Sequence, residues 1–250
     1  MDPLVSSAST PALLSISNAS KIFGGFRAVD NVSLRVDEGE VLGIAGPNGA
    51  GKSTLFNLVS GVPFGPDGGS IHFDNQRIDR LPAHAIGRLG LRRTFQAEQL
   101  FATLSVRDNV LVSAKYLGSG SRSGADTDEA LERVGLTGHS QALASDIPLL
   151  AKKKLMIASA LVAKPRLLML DEPAGGLNTD DQAELVSLLR ELQGQGLTLI
   201  IIEHVLSVLR QLAHRMIILS SGRLLAEGAP DEVLANPLVL EAYLGKAPAA

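Results

Sequence analysis

The chain has 250 residues, of which 45% are hydrophobic, and a formal net charge of −3. That length suits one large α/β domain or two small ones with a sizeable core. With no cysteine, a disulfide scaffold and a thiolate metal site are excluded, and the slightly acidic balance argues against nucleic acid as a bulk partner.

Residues 1–11, rich in Ser, Ala and Pro, read as a loose tail. Met1-Asp2-Pro3 lacks the basic start and apolar core of a signal peptide, and no apolar run is long enough to span a membrane. A cytosolic chain is therefore expected, with any membrane contact made through a partner. Leu13 to Ser17 reads as a first strand, Lys21 to Phe26 as turn-rich, and Ala28 to Val36 as a second strand with Val32, Leu34 and Val36 on one face. Asp37 to Glu40 is a tight turn into Val41 to Ala45, a buried strand. This front half is hairpin-linked, so its strands are expected to pair antiparallel.

Gly46-Pro47-Asn48-Gly49-Ala50-Gly51-Lys52-Ser53-Thr54 follows that strand and opens a helix, in full agreement with G-x-x-x-x-G-K-[ST]. Its glycines tolerate the backbone angles needed to wrap an anion. Successive N–H groups and the helix N-terminus then point at phosphate. Lys52 reaches the β- and γ-phosphates of ATP, and Ser53 offers a hydroxyl to Mg2+.

Beyond it come a Gly/Pro loop at 61–69, a short strand Ser70 to Asp74, a helix Pro82 to Arg88 and a strand Leu91 to Phe95 ending at Gln96. Helical periodicity then takes over, with helices at Val106 to Leu117, Asp126 to Val134 and Lys153 to Ala163, and a Gly/Ser loop at 118–124. Residues 97–163 read as a helical subdomain inserted into an α/β core formed by 12–96 and 164–244, with 245–250 a C-terminal tail. The core resumes with a strand Leu167 to Asp171. An amphipathic helix Asp180 to Gln193 follows, its stripe set by Ala183, Val186, Leu189 and Leu192. Then come a strand Leu197 to Ile202, a helix Val205 to Leu212, a hairpin Arg215 to Ala226 and short helices Asp231 to Ala235 and Pro237 to Leu244.

Four side chains sit where an ATPase needs them, because open α/β sheets bind ligands beyond the carboxyl ends of their strands. Asp171 ends its strand and can hold Mg2+ opposite Ser53. Glu172 can polarise the attacking water as general base. His204, after another strand, can donate to the γ-phosphate, although from spacing alone it is equally a helix-start residue. Gln96 can touch Mg2+ or the attacking water through its amide and swing away.

In this order the residues resemble the ATP-binding subunit of an ABC transporter over about Leu13 to Leu244. The matching pieces are GPNGAGKST at 46–54, RTFQ at 93–96, LLMLDEP at 167–173, AGGLN at 174–178 and IIIEH at 200–204. GPNGAGKSTLFNLVSG, GLRRTFQ, LDEPAGGLN and LLAEGAPDEVLANPLVLEAYLG are most similar to the subunits that power uptake of branched-chain amino acids and their urea and amide relatives. The resemblance implies a P-loop NTPase core with an antiparallel β front and an inserted helical subdomain. It also implies ATP hydrolysis, ATP and Mg2+ at the site, permease partners, and a place at the cytoplasmic face of the inner membrane. By the same resemblance Phe23 takes the place of the aromatic that stacks on adenine; from the residues alone it is equally a core side chain.

One motif departs from the family. Counting back from the helix Lys153 to Leu161, the LSGGQ signature slot reads Ile147-Pro148-Leu149-Leu150-Ala151. Pro148 brings neither hydroxyl nor N–H, and Leu150 puts bulk where close approach is wanted. Pairing with a second ATPase subunit whose signature is intact is the consequent expectation, with a periplasmic binding protein as an indirect partner. Two other readings stand beside the transport motor: a nucleotide-binding regulatory subunit with little catalysis, and an ABC ATPase acting on DNA or ribosomes. The second lacks support from any basic arm or long coiled coil.

Overall fold

The computed structural model describes residues 12–96, 99–117 and 123–244. The expected tails at 1–11 and 245–250, and positions 118–122 of the Gly/Ser run, lie outside the described residues. The first elements are β1 (Leu14–Phe23), β2 (Phe26–Val36), β3 (Val41–Ala45), α1 (Lys52–Ser60), β4 (Gly68–Phe73), β5 (Gln76–Arg77), α2 (Ala83–Arg88) and β6 (Leu91–Arg93). They are followed by α3 (Val106–Leu117), α4 (Ser123–Arg133), a short 3-10 turn Thr137–His139 and α5 (Leu149–Leu161). The chain ends with β7 (Leu167–Asp171), α6 (Thr179–Gly194), β8 (Thr198–Ile202), α7 (Leu206–Leu212), β9 (Arg215–Ser220), β10 (Arg223–Gly228), α8 (Pro230–Leu234) and α9 (Pro237–Leu244).

Six strands form one sheet in the order β10-β9-β3-β8-β7-β6. All neighbours in it are parallel except the edge pair β9–β10. Its central strands are apolar without alternation because both faces are covered. Leu168, Leu170, Leu199 and Ile201 face one hydrophobic cluster, which holds the apolar sides of α3 to α7. Leu167, Met169, Ile200 and Ile202 face the other, shared with α1 and the front strands. Each such leucine or isoleucine contributes about 1.5–3 kcal/mol on burial, so the sheet is a firm base for loops at its carboxyl edge.

The front sheet, β2-β1-β4-β5, is antiparallel throughout, as expected. Its first hairpin is longer than the sequence suggests. β1 runs through the turn-rich stretch to Phe23, which pairs with Phe26 across Gly24 (φ 52°) and Gly25 (φ 90°). Two left-handed glycines make the tight turn that suits strand twist, and pairing with β2 overrides the weak local pattern.

Between β6 and β7, which are sheet neighbours, the chain makes an excursion in which α3, α4 and α5 pack on one another. There α5 starts at Leu149, four residues before the expected Lys153, with Pro148 at its N-cap. Proline opens helices readily because the N–H it lacks would have no partner there. In α6 the buried stripe is Leu185, Val186, Leu188, Leu189 and Leu192, while Ala183 is exposed. Among the described residues no helix is long and apolar enough to cross a membrane.

Candidate functional site

At two positions the loop between β3 and α1 leaves no room for a side chain. Gly46 (φ 148°) would place a Cβ 2.1 Å from the Leu219 carbonyl oxygen, and Gly51 (φ 100°) would place one 2.3 Å from the Ala28 carbonyl oxygen. Ala50 N–H closes a turn on Pro47 O at 3.1 Å. Gly222 N–H, from the β9–β10 turn, bonds Ala50 O at 3.0 Å. The loop is thereby clamped from behind while Asn48, Gly49 and Ser53 are exposed. Gly51, the N-cap of α1, gives no side-chain cap, so the first N–H groups of the helix are free to receive an anion.

These residues line one side of a cleft of about 410 Å³, a size suited to a nucleotide. Its lining comprises Phe23, Phe26, Ala28, Asn48, Gly49, Ala50, Gly51, Lys52, Ser53, Thr54, Gln96 and Glu172. Lys52 is nearly buried, and its ammonium donates to Gly46 O at 2.7 Å and Pro47 O at 3.0 Å. Burial pulls its pKa down, and the charges of Glu172 and Asp171 oppose that shift. A lysine resting on two loop carbonyls is held at the phosphate position by bonds weaker than those a triphosphate would offer.

Gln96 and Glu172 meet directly, Nε2 donating to Oε2 at 2.7 Å. Glu172 stands in the left-handed region (φ 49°), and its N–H donates to Ile202 O at 2.9 Å. His204, exposed after β8, has Nδ1 3.7 Å from Glu172 Oε2 and 3.9 Å from Glu203 Oε2. The residues expected around the γ-phosphate are thus neighbours, although they follow three different strands, β6, β7 and β8.

Asp171 is set further back. It is 5% exposed and does not line the cleft. Its Oδ2 accepts from Arg93 Nη2 at 3.0 Å, and its Oδ1 is buried without a hydrogen-bond partner among the described residues. Burial pushes this carboxyl up, and Arg93 pulls it back only in part. An ionisable oxygen with no partner is the kind of group a hydrated cation satisfies. Ser53, Asp171 and Gln96 are therefore a fitting but sparse donor set for Mg2+. No group of three or more acids or imidazoles among the described residues is arranged to hold a metal ion by itself. A divalent ion here would draw most of its ligands from phosphate and water, as Mg2+ commonly does.

Three participants were not assigned roles from the sequence. Arg93 bonds Asn57 Oδ1 at 2.6 Å as well as Asp171, and its guanidinium lies 5.4 Å from the Phe56 ring centre and 4.9 Å from that of Phe95. Its signal in the sequence is the RTFQ stretch that also holds Gln96. Glu203 is wholly buried, accepts from Ala174 N–H at 2.6 Å, and is pushed up by burial. Phe26 is an exposed aromatic beside the loop; its signal was its place opposite Phe23 across Gly24-Gly25. Phe23 itself lines the cleft but meets Phe64 edge-on at 5.1 Å, with Lys21 over both rings.

The expected signature slot, 147–151, runs from the residue before the N-cap Pro148 into the first turn of α5. Ile147, Leu150 and Ala151 are buried, only Pro148 is exposed, and Leu149 packs beside Gly176, 3.1 Å from where that glycine would carry a Cβ.

Comparison with known proteins gives a consistent picture. The family model "ABC transporter" matches residues 29–175, and a model for branched-chain amino acid ATP-binding cassette transporters matches 223–249. LivG of Escherichia coli (strain K12), a high-affinity branched-chain amino acid transport ATP-binding protein, is 38% identical over 94% of this chain and 98% of its own. LptB of the same strain, a lipopolysaccharide export system ATP-binding protein, is 32% identical over 94% and 98%. The crystal structure of the ADP conformation of MJ1267, an ATP-binding cassette of an ABC transporter, superposes with a TM-score of 0.87 at 29% identity, covering 95% of this chain and all of that one.

Proposed function

The chain belongs to the ABC transporter family of ATP-binding proteins, and we propose that it is the motor subunit of an importer for branched-chain amino acids or a related small polar solute. As a family member it binds and hydrolyses ATP and works with membrane permease components. The solute follows the LivG likeness and the match at 223–249. Import is our reading of that same likeness, since LptB, an export ATPase by name, is also similar.

The mechanism proposed is residue by residue. Backbone N–H groups of Gly46 to Ser53 and the Lys52 ammonium grip the triphosphate. Phe23 meets the adenine. Ser53, Asp171 and Gln96 are the residues that would hold Mg2+, which would neutralise phosphate charge when bound. Glu172 takes the proton of the attacking water, and His204 donates to the γ-phosphate and keeps Glu172 in line. Residues 12–96 and 164–244 act as the core, and 97–163 as the helical subdomain that passes the motion to the permeases.

The observation that carries this reading is the Gln96–Glu172 contact in the cleft that Lys52 and Ser53 line. In the assembled transporter we expect Glu172→Gln to keep ATP binding and to lower hydrolysis by at least about 100-fold. Unchanged hydrolysis would favour a regulatory nucleotide-binding subunit instead. The apolar slot at 147–151, with Ile147, Leu150 and Ala151 buried, supports pairing with a second ATPase subunit of intact signature. From the LivG likeness we place the pair at the cytoplasmic face of the membrane, with a periplasmic binding protein delivering solute.

A further inference from the structure

We infer that Glu203 is a positioning residue for the hydrolytic pair Glu172 and His204, acting through the turn that follows β7. The inference rests on the assignment of Glu172 as general base. Glu203 follows β8 directly, with its peptide N–H bonded to Ile44 O at 3.2 Å, and its side chain is 0% exposed. An acid so buried is rare unless it holds something. Here one oxygen accepts from Ala174 N–H at 2.6 Å. The carboxyl also faces the Val205 backbone N–H, and its other oxygen has His204 Nδ1 3.9 Å away.

Ala174 is 1% exposed, so its N–H has no water to fall back on. It lies two residues after Glu172, whose left-handed backbone is unfavourable for a residue with a side chain. Such a conformation persists only when its surroundings enforce it. Two of those restraints are backbone bonds, Glu172 N–H to Ile202 O and Gly175 N–H to Glu172 O. The third is the Glu203 carboxyl on Ala174. Without it the turn is free to relax, and the Glu172 carboxylate drifts from Gln96 and from the cleft. The same carboxyl flanks His204, so one buried group sets the reach of both.

The test compares wild type, Glu203→Gln, Glu203→Leu and Glu172→Gln in the assembled transporter, measuring hydrolysis and the Kd for a fluorescent ATP analogue. Glutamine keeps the oxygen that Ala174 needs; leucine removes it. We expect Glu203→Leu to lower kcat at least about tenfold with Kd within about twofold, and Glu203→Gln to keep about half of kcat or more. Wild-type kcat in Glu203→Leu would overturn the inference. So would a fall in ATP affinity matching the fall in kcat, or a Glu203→Gln as impaired as Glu203→Leu. Should Glu203→Leu fail to assemble, Glu203→Asp, one methylene short of Ala174, takes its place, with a loss confined to kcat expected and wild-type kcat contradicting. If Glu172→Gln hydrolyses ATP normally, the assignment of the base is wrong whatever Glu203 does. If it is inactive while Glu203→Leu is normal, only the role of Glu203 fails.

Discussion

At the scale of single residues, the phosphate loop depends on the absence of side chains as much as on Lys52. Gly46→Ala drives a Cβ into the Leu219 carbonyl at a φ that side chains avoid. We expect it to cost about 2–5 kcal/mol in denaturant unfolding, from strain and overpacking together. Gly49→Ala, with open space around it and φ 77°, should cost about 1 kcal/mol. Equal stability of the two variants would mean that the Leu219 contact does not constrain the loop. The glycine-lysine pattern made this loop legible because each of its residues has one local job. Arg93 and Glu203 were not legible in the same way. Their partners, Asp171 and Ala174, lie 78 and 29 residues away in the chain, and nothing in local spacing announces such a contact.

Among the elements, the strands of the large sheet are the clearest in the sequence, since burial on both faces leaves unbroken apolar runs such as Leu167 to Leu170. The two-residue β5 and the far end of β1 carry no such run and exist through pairing. Arg93 ties three elements together, from β6 to Asn57 in α1 and Asp171 in β7. We expect Arg93→Met to destabilise the protein by about 3–5 kcal/mol, because it leaves a buried carboxylate uncompensated. Adding Asp171→Asn should recover part of that loss, as coupled partners do in a double-mutant cycle. Additive losses in thermal and denaturant unfolding would show that the ion pair is not a stabilising link between those elements.

For the whole molecule, the proposal of pairing turns on residues 147–151, the expected signature slot. In the sequence it is a missing serine and glycine; in the fold it is also part of the hydrophobic core, because Leu150 is 9% exposed in the first turn of α5. Leu150→Gly would therefore open a cavity as well as restore a motif. Pro148 is exposed, so Pro148→Ser is the cleaner change. The purified chain alone should hydrolyse ATP feebly, with Pro148→Ser raising that rate and an intact partner subunit raising it further. Robust turnover by the unmodified chain alone would contradict obligate pairing. Every step of the proposed cycle begins with nucleotide on the loop at 46–54, and isothermal titration calorimetry of Mg·ATP against wild type and Lys52→Ala measures that directly. We expect about one ATP per wild-type chain, and affinity lower by at least about 100-fold in Lys52→Ala, since a buried charge-assisted contact is lost. No binding to wild type, or equal binding to both proteins, would contradict it.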